Sequence, residues 1–529
     1  MFKILKKIEK KYIISLFFLI VIGAISEPLI AYSYILLGSK IEAIDNLDFG
    51  FLYIFITILF ALIIAGINYL FVDLIMNDIV TNIRKKIFLS ILNKKSSEIL
   101  KTEKTSYYND ILKKIDIWKF RTLKSTIDIF EKTLQIILTL SFITLVDYRV
   151  SIVVILFLIP LIINNIYFPK KMEKSYREYI EKDNEQLKKM KEYFDSILII
   201  KNNNEENEFS LKMNDVLEEQ NFLWKKTSIL GNLSAFIANS GVILSQFAGI
   251  FVSILFYKNN YISLGSLIAL IQLTMFINQP VINLINSIIG INSMGEINNY
   301  IENINFDVEE KKSYYFDFNN IDIVNLNYEY TEDKKVFKDN LNMRFEQGKK
   351  YLIIGESGSG KSTFLKILMK YLEDFKGEIL VDNISLKDIN EETLNKNIFY
   401  IPQKIHIFSD TIKNNIDIKN RYSESEILNS MREVNLDKLI KKEDGINSII
   451  GEEINTISGG EAARLYIVKA KLSNKKIIIA NEILSNLDKE NSLNVEKNLL
   501  NLKDKILIHV AHNYNQEYME EYDQIIRIK

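Results

Sequence analysis

A glycine-rich stretch in the second half of the chain has the spacing of a phosphate-binding loop. An apolar run, Lys350–Ile354, precedes it as a buried strand candidate, and a helix-like stretch, Phe364–Leu372, follows it. Glycines let backbone N–H groups turn inward around phosphate oxygens, and a helix N-terminus adds partial positive charge. Lys361 would then reach the β- and γ-phosphates, and the Ser362 hydroxyl would ligate Mg²⁺. The predicted nucleoside triphosphate loop comprises Gly355, Glu356, Ser357, Gly358, Ser359, Gly360, Lys361, Ser362 and Thr363.

Polar residues that could act on a bound nucleotide follow other apolar runs. Asn481 and Glu482 come after the buried strand candidate Ile477–Ala480, and His512 ends the strand candidate Ile506–Ala511. A glutamate can polarise an attacking water, whereas an asparagine oxygen accepts a hydrogen bond from a metal-bound water without adding negative charge. Taken singly, each such residue also has an ordinary structural interpretation: a hydrogen-bonded histidine, a surface glutamine at Gln403, or a strand tyrosine at Tyr330.

Two unlike halves position these residues. From about residue 319, strands and helices alternate in α/β fashion. The first half instead contains six apolar runs long enough to cross a bilayer as helices, the third being short. The runs are Tyr12–Gly38, Phe51–Asn77, Thr133–Asp147, Ser151–Phe168, Gly231–Tyr257 and Gly265–Ile289. Lysine-rich segments at the N-terminus and in the long connections, set against an acidic turn near residues 40–50, predict that these segments and the second half are cytoplasmic. The helix-like spacing of lysine and glutamate in the long connections, as in Lys171–Phe194, predicts helices that extend beyond the bilayer.

Composition excludes several classes of protein. The chain has 529 residues, a formal net charge of −1, three histidines and no cysteine. A near-zero charge argues against a nucleic-acid binder. The absence of cysteine excludes disulfide frameworks, thiolate metal sites and cysteine nucleophiles. Because only about a dozen residues precede the first apolar run, we also expect no cysteine peptidase domain ahead of it.

The order of the motifs resembles that of ATP-binding cassette (ABC) exporters. Ser458-Gly459-Gly460-Glu461 is similar to the signature sequence of that family, apart from Glu461 in place of glutamine. Gln403 falls at the Q-loop position, Asp488 in the D-loop, His512 at the switch position and Tyr330 where an aromatic residue stacks on adenine. Glu482 resembles the catalytic carboxylate, but the preceding Walker B aspartate is replaced by Asn481. The resemblance extends over nearly the whole chain.

This resemblance implies an all-α six-helix transmembrane domain over residues 1–294, a linker over 295–318 and an α/β P-loop ATPase domain over 319–529. It implies ATP and Mg²⁺ as cofactors, with Ser362, Gln403 and Asn481 near the metal. The catalytic group would comprise Glu482, His512, Gln403 and Lys361. Two chains would be needed for two ATP sites; we favour a homodimer, and a heterodimer is the alternative. Because of Asn481, we expect weaker Mg²⁺ binding and reduced turnover, and the rival interpretation is a weakly hydrolysing regulatory half.

The cargo is less defined than the energy source. The resemblance implies export of a peptide, a lipid or a drug-like molecule across the cytoplasmic membrane, and the isoleucine-, lysine- and asparagine-rich composition suggests an AT-rich bacterial genome. Glu27, an intramembrane carboxylate beside Pro28, is the candidate for lining a cargo cavity. Other polar residues in the apolar runs are equally explained by hydrogen bonds between helices.

Overall fold

The computed structural model describes residues 9–42, 47–102, 107–304, 318–330, 335–441, 444–451, 457–485, 487–512 and 514–529. The chain divides into two compact units, which are described separately. The first comprises Met1–Asn93 and Lys104–Val308, and the second comprises Lys94–Glu103 and Glu309–Lys529. The domain boundaries predicted at residues 294 and 318 remain predictions.

The first unit is helical throughout its described residues. Its helices are α1 (Lys10–Glu42), α2 (Leu47–Leu92), two π-helical turns (Asn109–Lys113 and Lys119–Leu123) on either side of α4 (Lys114–Trp118), α5 (Lys124–Val146), α6 (Tyr148–Asp195), α7 (Ile197–Asn202), α8 (Glu206–Lys258), α9 (Leu264–Phe276), α10 (Asn278–Asn292) and α11 (Gly295–Asn303). A further short helix, α3 (Ser96–Lys101), groups with the second unit.

Several of these helices are long and apolar enough to cross a membrane. Among the described residues, four helical stretches meet this condition: Phe55–Leu92, Asp110–Val146, Glu206–Lys258 and Leu264–Asn292. Tyr148–Ile159 is a shorter apolar stretch. The side chain of Glu27 lies outside the described residues.

Predicted spans and observed helices differ mainly in length. The fourth predicted span, Ser151–Phe168, and the polar segment after it form one uninterrupted helix, α6, that ends at Asp195. A change from apolar to charged side chains alters what the helix contacts without removing any backbone hydrogen bond, so the helix continues.

The second unit alternates strands and helices as the sequence predicts. After α3, its elements are β1 (Asn320–Asn327), β2 (Leu341–Glu346), β3 (Lys350–Ile354), α12 (Lys361–Leu368), β4 (Lys376–Val381), β5 (Ile384–Ser385), α13 (Glu391–Asn397), β6 (Ile398–Ile401), β7 (Asp410–Thr411), α14 (Ile412–Asp417), α15 (Glu424–Glu433), α16 (Asp437–Ile440), β8 (Ile449–Ile450), α17 (Gly459–Leu472), β9 (Ile477–Asn481), α18 (Lys489–Leu500), β10 (Ile506–Val510) and β11 (Gln524–Arg527), with 3₁₀ turns at Gly445–Asn447 and Gln516–Glu521.

A five-stranded parallel sheet forms the centre of this unit, in the order β11-β3-β10-β9-β6. Strands covered on both faces are continuously apolar, as in Ile477–Ala480, where every residue is buried. A second sheet, β2-β1-β4-β5, is antiparallel, and β7 pairs with β8. All four strands β3, β10, β9 and β6 therefore end at the same edge of one sheet.

The helix after the glycine-rich loop differs from the predicted Phe364–Leu372. It begins at Lys361 and ends at Leu368. Lys370 has a left-handed backbone, φ +60°, and the N–H of Tyr371 bonds back to the carbonyl of Lys366, which closes the helix. This termination follows from backbone geometry that the residue types do not indicate, since lysine rarely adopts it.

A buried polar network lies beside the central sheet. His509 on β10 is fully buried, and its Nδ1 is 2.6 Å from the Tyr522 hydroxyl. That hydroxyl donates to Glu496 Oε1 at 2.8 Å, and the Asn515 amide donates to Glu496 Oε2 at 2.5 Å. Burial lowers the pKa of His509 to about 4 from an ordinary 6.5 and raises the pKa of Glu496. The imidazole therefore stays neutral in the folded protein.

Acidification should destabilise the second unit through His509. The unfolded chain takes up this proton as the pH falls through 6.5, whereas the folded chain resists it until about pH 4. The stability that depends on the neutral ring is therefore lost over this window, by about 3 kcal/mol. We would measure amide hydrogen exchange in β10 of the full-length protein and of His509→Gln at matched pH.

The comparison with His509→Gln isolates the histidine, because intrinsic exchange rates and the opposite contribution of Glu496 are common to both proteins. We expect the advantage of the wild-type protein to shrink between pH 7 and pH 4.5. An advantage that stays constant over that range would contradict the assignment.

Candidate functional site

The glycine-rich loop connects β3 to α12 and has the backbone of a phosphate cradle. Gly358 and Gly360 have φ values of +84° and +92°, which lie in the left-handed region that favours glycine. At Gly360, a Cβ atom would also come within 2.6 Å of the Phe337 ring. Glycine is therefore required at position 360 for both conformation and space.

Lys361 points back into this loop. Its side chain is only 4% exposed, and its Nζ donates to the carbonyls of Gly355 and Glu356, each at 2.8 Å. Burial lowers the pKa of Lys361, while the nearby Glu482 opposes that shift. The ammonium group is thus held at the loop by two carbonyl acceptors, which a phosphate oxygen could replace.

A cleft of about 530 Å³ opens in front of the loop. Its lining residues are Tyr330, Lys335, Val336, Ser357, Gly358, Gly360, Lys361, Ser362, Thr363, Glu482 and His512. The cleft therefore joins the glycine-rich loop to residues that follow β9 and β10, as the sequence predicted from their order. Lys335 and Val336 are lining residues that the sequence analysis did not identify.

Tyr330 stands at the entrance of the cleft. Its hydroxyl is 3.1 Å from Thr363 Oγ1, and its ring packs edge-to-face on Tyr328 with centroids 4.9 Å apart. The residue is 58% exposed, so one side of the ring is open to a ligand. An aromatic face in this position can stack on a purine base.

Glu482 is the carboxylate nearest the glycine-rich loop on this edge of the sheet. Gln403 Nε2 donates to its Oε2 at 2.7 Å, and His512 Nε2 lies 3.5 Å from its Oε1. Its backbone has a positive φ of +49°, and its N–H donates to the carbonyl of Val510 at 2.7 Å. The resemblance implied a common role for these three side chains, and the fold places Gln403 and His512 against the Glu482 carboxylate.

Asn481 lies one residue earlier and is 92% buried, with 8% of its surface exposed. Its Nδ2 donates to the Tyr400 hydroxyl at 3.1 Å, whereas its Oδ1 has no hydrogen-bond partner among the described residues. The sequence analysis missed Tyr400. The available signal was a polar hydroxyl in the otherwise apolar strand β6.

These residues fit Mg²⁺ by the chemistry of their donors. Mg²⁺ prefers hard oxygen ligands and water, and Ser362, Gln403 and Asn481 supply a hydroxyl and two amides. The unpartnered oxygen of Asn481 is a suitable acceptor for a metal-bound water. Within the described part of the chain, no group of three or more histidine, cysteine, aspartate or glutamate residues could hold a metal alone. The phosphates would therefore have to supply most of the negative charge.

The signature-like loop forms the start of α17. Ser458 Oγ accepts from the N–H of Glu461 at 3.3 Å, and the Glu461 carboxylate accepts from the Ser458 N–H and hydroxyl, each at 2.9 Å. This is a reciprocal capping box. Gly460 lies against Asn491, where a Cβ atom would come within 2.9 Å of the amide oxygen.

Among the described residues, neither the signature-like loop nor Asp488 lines the cleft. Asp488 caps α18 by accepting from the N–H of Asn491 at 2.9 Å, and Arg464 donates to the Asn491 side chain at 3.0 Å. Among the described residues, the lining of the cleft includes neither Ser458–Glu461 nor Asp488. The structure thus gathers the loop and the catalytic candidates, and leaves the signature elsewhere on the same domain.

Fold and cleft together define a multi-pass membrane protein whose chain also carries a phosphate-binding α/β domain. Residues 11–281 match the ABC transporter transmembrane region, and residues 338–485 match the family described as ABC transporter. The first match alone covers about half of the chain. The chain therefore belongs to the ABC transporter family, and the predicted fold class is confirmed.

Relatives cover this chain to different extents. It is 33% identical over 205 residues to the glutathione/L-cysteine transport system ATP-binding/permease protein CydC of Haemophilus influenzae, covering 38% of this chain and 35% of that protein. It is 26% identical over 548 residues to the multidrug resistance-like ATP-binding protein MdlB of Buchnera aphidicola subsp. Schizaphis graminum, covering 98% of this chain and 91% of that protein.

A solved structure supports the architecture. The structure of a bacterial Atm1-family ABC exporter with ATP bound matches with a TM-score of 0.83 at 15% identity, covering 98% of this chain and 93% of that one. At this identity, the likeness shows the fold alone. A helical transmembrane part followed by an ABC ATPase domain is the arrangement of an exporter-type half-transporter.

The geometry at Tyr330 gives the first test of the cleft. We expect Tyr330→Ala to weaken binding of a fluorescent ATP analogue about tenfold, because it removes a stacking surface. Tyr330→Phe is the matched control: it keeps the ring and loses only the hydrogen bond to Thr363. Equal losses in both variants would show that the hydroxyl, rather than the ring, holds the nucleotide.

Proposed function

We propose that this chain is one half of an ATP-driven exporter, in which two chains form two ATP sites. The observation that carries the proposal is the convergence of Glu482, Gln403 and His512 in front of the phosphate loop. A single carboxylate beside a phosphate cradle is what polarisation of an attacking water requires. Because the transmembrane region is part of the same chain, ATP hydrolysis can be coupled to transport.

Each group has a defined part in hydrolysis. Lys361 exchanges its two carbonyl acceptors for phosphate oxygens, and the backbone N–H groups after Gly358 surround the remaining phosphate oxygens. Glu482 orients and polarises the attacking water. His512 lies next to the terminal phosphate and keeps it in place relative to Glu482. Mg²⁺, held near Ser362, Gln403 and Asn481, would neutralise charge on the phosphates.

Two chains are needed because a single chain does not complete the site. The signature loop Ser458–Glu461 lies outside the lining of its own cleft, although its helix start is suited to binding phosphate. A second chain can bring its signature loop and Asp488 over the ATP of the first. We favour two identical chains, because Glu482 and the signature are both retained.

A contact within the second unit supports coupling to the membrane part. The short helix α3 lies in the connection that follows α2, and the Ser96 N–H donates to Glu391 Oε2 at 3.1 Å, with a further bond from the Ser96 hydroxyl to the same carboxylate. Lys95 Nζ lies 3.6 Å from Glu373 Oε1. A segment joined covalently to a membrane helix is thus hydrogen-bonded to the nucleotide domain.

The cargo stays open among a peptide, including a bacteriocin, a lipid and a drug-like molecule. The relatives are named for glutathione and cysteine transport and for multidrug resistance, so family membership does not select one cargo. We propose Glu27 as a cargo contact, with the N-terminus and ATPase domain on the cytoplasmic side of a bacterial plasma membrane. The lysine distribution supports this orientation.

The second candidate function is a nucleotide-binding half that hydrolyses ATP weakly and regulates a partner chain. Asn481 favours it, because an amide brings no charge to the metal. The intact Glu482 and signature loop favour the exporter instead. The two candidates predict different hydrolysis rates for the purified chain in lipid.

Glu482→Gln should abolish hydrolysis while leaving ATP binding intact, because the amide cannot take a proton from water. We expect phosphate release to fall at least about 100-fold, measured with purified protein in lipid vesicles. Binding of a fluorescent ATP analogue serves as the control for folding. Mg²⁺-dependent phosphate release that is unaffected by this change would contradict the role of Glu482.

Asn481→Asp should strengthen Mg²⁺ binding. A carboxylate in place of the amide adds a negative charge next to the metal, so the Mg²⁺ concentration for half-maximal hydrolysis should fall, by about three- to tenfold. The rate at saturating Mg²⁺ should rise as well. If both quantities match those of the wild-type protein, Asn481 neither weakens Mg²⁺ binding nor slows hydrolysis, and the regulatory function loses its support.

A further inference from the structure

The side chains of Tyr400 and Asn481 meet between neighbouring parallel strands. Strands β6 and β9 pair in register, with Tyr400 opposite Ile479 and Ile401 opposite Ala480. Asn481 is the next residue on β9, and its Nδ2 lies 3.1 Å from the Tyr400 hydroxyl. The contact joins a phenolic hydroxyl to a side-chain amide.

The two ends of the Asn481 amide are chemically different. Its nitrogen can only donate, and its oxygen can only accept. With the nitrogen bound to Tyr400, the oxygen is buried without a partner in the described part of the chain. An unpaired buried acceptor costs free energy unless a ligand satisfies it. The residue immediately precedes Glu482, which lines the cleft in front of the glycine-rich loop.

To accept from a cation-bound water or bind a cation, an amide at this position must have its oxygen on the correct side, whereas a carboxylate has an oxygen on both sides. Rotation by 180° about the last side-chain bond would exchange the oxygen and the nitrogen and present N–H donors to a cation. The oxygens of an aspartate are equivalent, so the same rotation would change nothing. The Tyr400 hydroxyl can accept from the amide nitrogen or donate to the amide oxygen, but only the first pairing leaves the Asn481 oxygen free for a cation. An aspartate keeps one oxygen free in either orientation.

We propose that Tyr400 is a positioning residue that holds the Asn481 amide with its oxygen towards the divalent cation of the bound nucleotide. This deepens the proposed function and rests on it. Tyr400 contacts the amide and not the cation, so it acts through Asn481. Outer partners that orient a metal-binding group commonly affect metal affinity as much as the group itself.

A double-mutant cycle with a direct metal readout tests this. We would titrate Mn²⁺ into the full-length protein in lipid nanodiscs with saturating ADP and record free Mn²⁺ by electron paramagnetic resonance. The four proteins are the wild type, Tyr400→Phe, Asn481→Asp and the double variant. In the asparagine background, we expect Tyr400→Phe to weaken Mn²⁺ binding about tenfold. In the aspartate background, the same change should alter it by less than about twofold.

Two controls separate orientation from packing. Tyr400→Phe should leave ADP affinity without divalent cations, measured in EDTA, unchanged in either background, since it adds no charge to the site. Tyr371→Phe, which removes another partly buried phenol of the same domain, should leave Mn²⁺ affinity unchanged. A tenfold loss in only the asparagine background supports the proposal. Equal losses in both backgrounds, or no loss in either, overturn it.

The outcome is independent of the exporter proposal. Mn²⁺ binding with ADP requires neither hydrolysis nor transport, so Tyr400 can fail while Glu482→Gln behaves as expected. Conversely, wild-type protein that binds Mn²⁺ with ADP but shows no hydrolysis dependent on Glu482 would contradict the proposed function and leave the cycle interpretable.

Discussion

The parallel register of the central sheet is the constraint on which the site depends. All parallel strands present their carboxyl ends at one edge, and the loops that follow them must meet there. Val510 pairs with Ile353 on one side and Asn481 on the other. The glycine-rich loop, Glu482 and His512 are therefore brought together by backbone pairing before any side-chain contact forms. A shift of one residue in β9 would move Glu482 to the position of Asn481 and Asn481 to that of Ala480.

At this edge of the sheet, Glu482 brings a carboxylate next to the glycine-rich loop, whereas the residue before it, Asn481, brings a neutral amide. Gln403 and His512 both contact the Glu482 carboxylate in the single chain. The resemblance to ABC exporters assigns the same two residues to the metal and to the terminal phosphate. Under the proposed function, Gln403 would move to the metal and His512 to the terminal phosphate, so that Glu482 would lose both contacts when a water has to be polarised.

The local parts of this site could be predicted from residue types, the grouping of Glu482, Gln403 and His512 only from the family resemblance, and the remaining tertiary contacts not at all. The glycine-rich loop was predictable because its conformation follows from glycines between a strand and a helix, and β3 has the predicted bounds of Lys350–Ile354. The end of α12 was not, because it depends on the left-handed backbone of Lys370. Tyr400 was missed for a different reason: its importance comes from a hydrogen bond across strands that are about 80 residues apart.

Membrane helices show the same division between local and tertiary information. Hydropathy predicted helices where α1, α2, α5, α6 and α8 occur, because apolar runs of that length must satisfy their backbone groups internally. Hydropathy alone did not extend α6 beyond Phe168, since the charged segment that follows no longer resembles a span, but the helix-like spacing of charged residues over Lys171–Phe194 predicted a helix there. Hydropathy reports the surroundings of a helix, whereas its length is decided by where backbone hydrogen bonds stop.

A dimer of two identical chains places a further demand on Asn481. Both ATP sites would contain the same amide, so neither could rely on a carboxylate in the other. Whatever compensates for the missing charge must then lie within each nucleotide domain or on the nucleotide itself. The phosphates supply the charge, and the fixed hydrogen bond from the Asn481 nitrogen to Tyr400 leaves the oxygen available. Under the proposed function, the amide would then serve the cation through its oxygen while Tyr400 satisfies its nitrogen.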